Sequence, residues 1–303
     1  MLTKDCVNQA EPVRASWRDY YALTKPRVVQ LLVFTAVIGM FLATPGMVPW
    51  DILVFGSLGI GLSAASGAAV NHVLDRRYDE TMARTRNRPL PMGRISDRDA
   101  MAFALALGLV GIALLVLMVN ALTAVLTFFA LIGYAVIYTV WLKHATPQNI
   151  VIGGAAGAAP PVLGWAAVQN EVSGYALLLF LIIFTWTPPH FWALAIARKS
   201  DYEKAEIPML PVTHGVEVTK SFVFYYTILL VLVTLLPFLT GMSGVLYLLA
   251  ALLLGGGFLY YAVLLRGTDD PRIALKTFHY SLSYLAALFT FLLLDHYLPV
   301  LWP

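Results

Sequence analysis

The chain is short of charge, and the charge it has is unevenly spread. Only 12% of its 303 residues are Asp, Glu, Lys or Arg, while 59% are apolar and the mean hydropathy is +0.76. Soluble domains carry roughly 25% charged and 45–50% apolar residues, so a soluble globular protein is excluded. Cysteine is nearly absent: Cys6 alone closes neither an internal disulfide nor a C-x-x-C-H haem attachment. The first 27 residues lack an apolar core and mix Asp5, Glu11 and Asp19 with five bases, unlike a secretory signal or an acid-free transit peptide. They are expected to form a cytoplasmic tail, residues 1–27, followed by a single intramembrane domain, residues 28–303. The net charge of +3 carries no nucleic-acid signal, because in a membrane protein the position of the bases matters more than their sum.

What is present is a set of long charge-free runs, 52–74, 100–142, 144–170, 172–197 and 221–265. They are continuously apolar and rich in Leu, Ala and Gly, which excludes the short alternating strands of a β-barrel. Asn120 and the Thr240-Gly241-Met242-Ser243-Gly244 turn divide the two longest runs. The result is an all-α polytopic membrane protein with nine transmembrane helices, near 28–44, 52–72, 100–118, 121–141, 149–168, 174–197, 220–239, 244–265 and 278–299. The bases test this count. The tail holds five, and the loops after the second, fourth, sixth and eighth spans hold seven, one, four and three, which accounts for all 20 Lys and Arg. Bases confined to alternate loops place the N-terminus in the cytoplasm and the C-terminus outside. The two large cytoplasmic loops, 73–99 and 198–219, follow spans four apart and suggest a weak internal duplication.

The densest polar sequence runs from Asn71 through Asp75 and Asp79 to Arg84, Arg86, Arg88 and Pro91. Asn71, Asp75 and Asp79 are spaced i, i+4, i+8, so on a helix they line one face with about 40° of drift per step. Such an oxygen ladder suits Mg²⁺, which takes one or two carboxylates together with phosphate oxygens and water. Arginines at every second residue behind it suit a turning loop that directs guanidinium groups at one anion. Acid for metal and base for phosphate in one loop point to a metal-bridged diphosphate. An acid at the end of a span is expensive and most often functional, which separates this loop from ordinary positive-inside topology. The second loop supplies Asp201 and Lys204, and Lys143 with Lys25-Pro26-Arg27 adds bases at the same membrane face. Of the six histidines, His190 lies within a span about 12 Å below the interface, beside Pro188-Pro189 and bracketed by Trp186, Phe191 and Trp192. His72 sits within the acid ladder. Each is a candidate functional residue, or simply a histidine hydrogen-bonded to a neighbouring helix.

These motifs, with Tyr138-Thr-Val-Trp-Leu-Lys143, Thr146-Pro-Gln-Asn149, Thr187-Pro-Pro-His190-Phe-Trp192 and Asp201-Tyr to Pro208-Met-Leu-Pro211, resemble the UbiA-type intramembrane prenyltransferases, and within them the branch that farnesylates haem. The resemblance runs from about Lys25 to the C-terminus. It implies nine helices around a central cavity in a bacterial inner membrane, with the active site on the cytoplasmic side. Two Asp motifs would hold Mg²⁺ and farnesyl diphosphate. The reaction implied is farnesyl transfer to a vinyl group of haem B with addition of water, and a haem A synthase is an implied partner.

In this reading Asn71, Asp75, Asp79 and Asp201 hold the metal, while Arg84, Arg86, Arg88, Lys143 and Lys204 neutralise the diphosphate and His190 and His72 bind haem. Two departures stand out: the second motif has Ala205 where the superfamily has an acid, and the superfamily's Tyr–Lys pair at i+4 is stretched to five residues, Tyr138 to Lys143. Rival readings are a prenyltransferase for a quinone precursor such as 4-hydroxybenzoate, and a secondary transporter. The latter places its acids nearer the midplane.

Overall fold

A computed structural model describes residues 15–82 and 85–301. Arg84 and the first 14 residues of the expected tail lie outside the described residues. The described part of that tail is not all extended: α1 (Trp17–Leu23) precedes α2 (Pro26–Leu42), and the two axes meet at 53°. There follow α3 (Trp50–Leu74), α4 (Arg76–Thr81), α5 (Asp97–Met118) and α6 (Ala121–Ile132), which runs on as a π-helix, Gly133–Leu142. Then come α7 (Lys143–Ala145), α8 (Asn149–Ala158), α9 (Pro160–Gln169), α10 (Gly174–Ala197), α11 (Lys199–Lys204) and α12 (Leu210–Thr213). Three long helices close the chain: α13 (Val216–Leu239), α14 (Val245–Arg266) and α15 (Pro271–Leu301). No strand occurs among the described residues.

Eight of these stretches are long and apolar enough to cross a bilayer, and the bent pair α1–α2 brings the number to nine. They follow the expected spans closely. The last departs most, because α15 continues through Arg272 and Lys276 to Pro271 instead of stopping at the hydrocarbon edge. Turn residues end the helices by satisfying their free amides. Ser96 and Ser173 accept from Asp99 N (3.1 Å) and Ala176 N (3.2 Å). Asn120 caps α6 by accepting from Thr123 N at 2.8 Å while its amide donates to the Ala166 and Ala167 carbonyls at the end of α9. Asp295, an isolated acid in the sequence, accepts from the backbone amides of Gly244 and Tyr247 and caps α14.

The π-helical stretch gives no signal in the sequence. Its bonds run from residue i+5, as from Lys143 N to the Tyr138 carbonyl, and Thr139 Oγ1 reaches the Tyr134 carbonyl at 2.9 Å. A five-residue step is therefore one turn here, and the stretched Tyr138–Lys143 pair returns to one side of the helix. The Pro188-Pro189 pair does not end a helix: α10 continues through both.

Helices pack closely where side chains are smallest, as expected where lipid supplies no hydrophobic drive between them. At the α2–α9 crossing an added Cβ on Gly164 would stand 1.9 Å from the Ala36 carbonyl oxygen, and one on Gly39 would stand 2.2 Å from that of Pro161. Backbone opposes both positions, so neither clash is relieved by a rotamer. Gly164→Ala should therefore destabilise the protein by about 1–3 kcal/mol in detergent melts. Gly256→Ala, where the added carbon meets nothing within 4 Å, should be neutral or stabilising by up to about 1 kcal/mol.

Candidate active site

The end of the bundle that carries the α2 N-terminus and the α3 C-terminus gathers most of the ladder. Helix α3 stops at Leu74 and α4 starts at Arg76, yet the i+4 bonds persist across the joint: Asp75 N to Asn71 O and Asp79 N to Asp75 O, both 2.9 Å. Asn71, Asp75 and Asp79 thus remain one turn apart, and all three are buried at 3–4% exposure. That much burial demands partners, because an unpaired buried carboxylate is costly.

Each partner comes from a different part of the chain. Lys143, at the end of the π-helix, donates to Asp75 Oδ2 at 2.6 Å. Asn71 donates to the same oxygen at 2.8 Å and to Thr139 Oγ1 at 3.2 Å, while its own oxygen accepts from the Lys25 ammonium. Lys25 caps α2 in a left-handed conformation (φ 48°), a costly backbone for a residue with a Cβ. The Thr85 hydroxyl donates to the Asp79 carbonyl at 2.9 Å, which helps fold the chain back after α4, and Arg88 meets Asp79 Oδ2 at 2.7 Å. His72 Nδ1 lies 4.0 Å from that oxygen, and both His72 ring nitrogens are buried without a hydrogen bond. Asp75 Oδ1 is also buried without a donor.

Other expected residues stand apart. Arg86 and Lys204 are exposed. Asp201 is half-buried on α11, and no group of three His, Cys, Asp or Glu side chains converges on one ion position among the described residues. Tyr202, Ile207, Met209 and Leu210 of the second loop are core, packed beneath α10 and α13. Arg76 belongs to scaffold: it donates to both Asp97 oxygens at 2.9 Å, which pushes its guanidinium further above its ordinary value.

Below this group lies an apolar cavity of about 270 Å³, with Lys25 at its polar end and Tyr134, Tyr138, Thr187 and Phe191 in its wall. Tyr134 and Tyr138 stack at 5.8 Å, and Tyr138 lies against α8 where only Gly153 leaves room. Of the three aromatics bracketing His190, Phe191 alone lines the cavity. Trp192 is fully buried against Phe222 and Tyr226, and Trp186 stacks on His190 itself at 4.1 Å. Tyr134 and Thr139 carry no signal of their own in the sequence, being a ring and a hydroxyl in an apolar span. Lys25 was visible as a base before a proline, but not as a partner of Asn71.

The chain belongs to the UbiA prenyltransferase family, whose match covers residues 32–291. It is 62% identical, over 93% of its length and 95% of the relative's, to the protoheme IX farnesyltransferase of Methylococcus capsulatus. In fold it is similar to a digeranylgeranylglyceryl phosphate synthase (TM-score 0.77, 17% identity, 92% of this chain and 98% of that one). It is also similar to a UbiA homologue from Archaeoglobus fulgidus bound to DMAPP and Mg²⁺ (TM-score 0.63, 17% identity, 90% and 99%).

The pairing of Asp75 with Lys143 has a measurable signature. Lys143→Met should cost about 3–5 kcal/mol of stability by stranding a buried charge, and Asp75→Asn in the same chain should recover much of that loss. Unfolding of the two single variants and the double variant in detergent checks it; additive losses would mean the two groups are not coupled.

Proposed function

We propose that this protein transfers the farnesyl group of farnesyl diphosphate to a vinyl group of haem B, with addition of water, giving haem O and diphosphate. The observation that carries the chemistry is the charge balance of the buried group. Asp75 and Asp79 pair with Lys143 and Arg88, and Lys25 joins them through Asn71, a single net positive charge at the polar end of an apolar cavity. A triply ionised prenyl diphosphate with one Mg²⁺ carries a single net negative charge, and its chain is apolar. The name of the 62% identical relative supports haem as the acceptor over a quinone precursor. Acids at the bundle end instead of the midplane disfavour a transporter.

The residues fit Mg²⁺. Asp75 Oδ1 is a buried lone-pair donor with no hydrogen bond, and Mg²⁺ needs only one or two carboxylates when phosphate and water complete its shell. Asp75, Asp79 and the Asn71 oxygen would hold it, with Asp201 approaching from the opposite loop. Bound there, Mg²⁺ supplies neutralisation of the diphosphate charge as the C–O bond breaks.

Lys143 and Arg88 turn from the carboxylates, and Lys25 from the Asn71 oxygen, to the phosphate oxygens, and Arg84, Arg86 and Lys204 add charge. The ring faces of Tyr134, Tyr138 and Phe191 stabilise the allylic cation. A haem vinyl carbon attacks that cation, water captures the new cation on the vinyl group, and one proton leaves. His190 is the residue that takes the haem iron. His72, beside Asp79, belongs to the diphosphate end. Bases confined to this end of the bundle support a cytoplasmic active site in a bacterial inner membrane, with the C-terminus outside. A haem A synthase is the partner that would take up the product.

Purified protein with Mg²⁺, farnesyl diphosphate and haem B should yield haem heavier by farnesyl plus water in mass spectra of extracted pigment. Prenylation of 4-hydroxybenzoate with haem untouched would overturn the haem reading alone. Asp75→Asn should lower kcat/KM by about 100-fold or more, the scale of losing one main electrostatic contact to the transition state. Tyr138→Leu should lower kcat by about 2- to 30-fold while Tyr138→Phe keeps most of it, because the ring face and not the hydroxyl meets the cation.

A further inference from the structure

His190 does not face the cavity directly. It lies one position along α10 from the cavity-lining Phe191 and turns toward α15, where its ring is held on three sides. Trp186 stacks on one face at 4.1 Å and Phe278 on the other at 4.6 Å, with interplanar angles of 19° and 29°. On the ring edge, Nδ1 stands 2.6 Å from Ser281 Oγ. Ser281 is completely buried, and its backbone carbonyl also accepts the Trp186 indole N–H at 2.8 Å. One residue of α15 therefore anchors both rings.

The direction of the His190–Ser281 hydrogen bond follows from a second contact. Ser281 Oγ lies 2.6 Å from the Phe278 carbonyl oxygen. Two oxygens at that distance repel unless a hydrogen lies between them, and the carbonyl has none to offer, so the serine hydrogen points at Phe278. A hydroxyl has one hydrogen. Toward His190 the serine oxygen can only accept, and the proton of that bond sits on Nδ1. The neutral ring then carries its lone pair on Nε2, which makes no hydrogen bond among the described residues and is not among the enclosed atoms left without a partner.

We infer that Ser281 is a positioning residue for the acceptor substrate: it locks His190 in the Nδ1–H tautomer so that Nε2 presents its lone pair to the haem iron. This rests on the reading of haem as acceptor. The arrangement matches what iron-binding histidines generally require, a hydrogen bond on the far nitrogen that fixes tautomer and ring plane. Here a hydroxyl that is itself committed to a carbonyl supplies it, and two aromatic rings fix the plane.

Two measurements on the full-length protein in nanodiscs test the inference separately. In ¹⁵N-histidine NMR without haem, with His190→Gln used to assign the signal, Nδ1 should be protonated and Nε2 bare. Ser281→Ala should mix the tautomers and Ser281→Thr should restore the single form. A wild-type ring protonated on Nε2 would overturn the role of Ser281, and this result needs no variant at the serine.

In the second measurement haem B is titrated and its Soret band and EPR spectrum are followed. Ser281→Ala should weaken binding about 10- to 100-fold, with Ser281→Thr close to wild type. His190→Ala should abolish the histidine-ligand signature. An unchanged spectrum in His190→Ala would overturn the iron-ligand role and leave the tautomer result to stand or fall alone.

Discussion

Two carboxylates buried at the edge of the hydrocarbon constrain the rest of this end of the molecule. Burying Asp75 and Asp79 is costly without cations, and the cations arrive from three separate places: the turn after α4, the last residue before α2, and the end of the π-helix. Asn71 couples two of them by accepting from Lys25 while donating to Asp75. The first, second and fourth spans are therefore fixed relative to one another by polar contacts, at the polar end of the cavity.

The π-helix serves the same constraint. At α-helical pitch a base five residues after Tyr138 would be rotated well past the tyrosine. The wider turn brings Lys143 back over it, so one stretch of chain lines the cavity with Tyr134 and Tyr138 and delivers an ammonium to Asp75. The cost of the wider turn is shared with Thr139, whose hydroxyl bonds both within the helix and to Asn71. Gly153 on α8 completes the arrangement by giving the Tyr138 ring its space.

Much of the architecture was legible in the chain because hydropathy, turn residues and the alternation of bases are properties of consecutive residues. The spans, the acid ladder and the basic end all follow from them. Asn120 and the Thr240–Gly244 turn marked helix boundaries because their side chains or backbones act within a few residues. Less visible was the fate of each charged group. Arg88, Arg86 and Lys204 carry the same charge and lie in similar loops, yet one is folded onto Asp79 and the other two face outward. The second loop reads as polar, but its Ile207-Pro-Met-Leu210 segment is core, because α10 and α13 leave an apolar gap above it.

The sequence by itself therefore determined the class of molecule, the succession of its apolar spans, and which end of the bundle carries the acid ladder and the bases. The free energy of placing each segment in lipid is set by that segment alone. Only the tertiary structure decided which base meets which acid, that a five-residue step is a single turn, and that Ser281, 91 residues away in the chain, is the partner of His190. Those outcomes depend on which helix faces lie together, and small residues such as Gly39 and Gly164 set that by letting backbones touch.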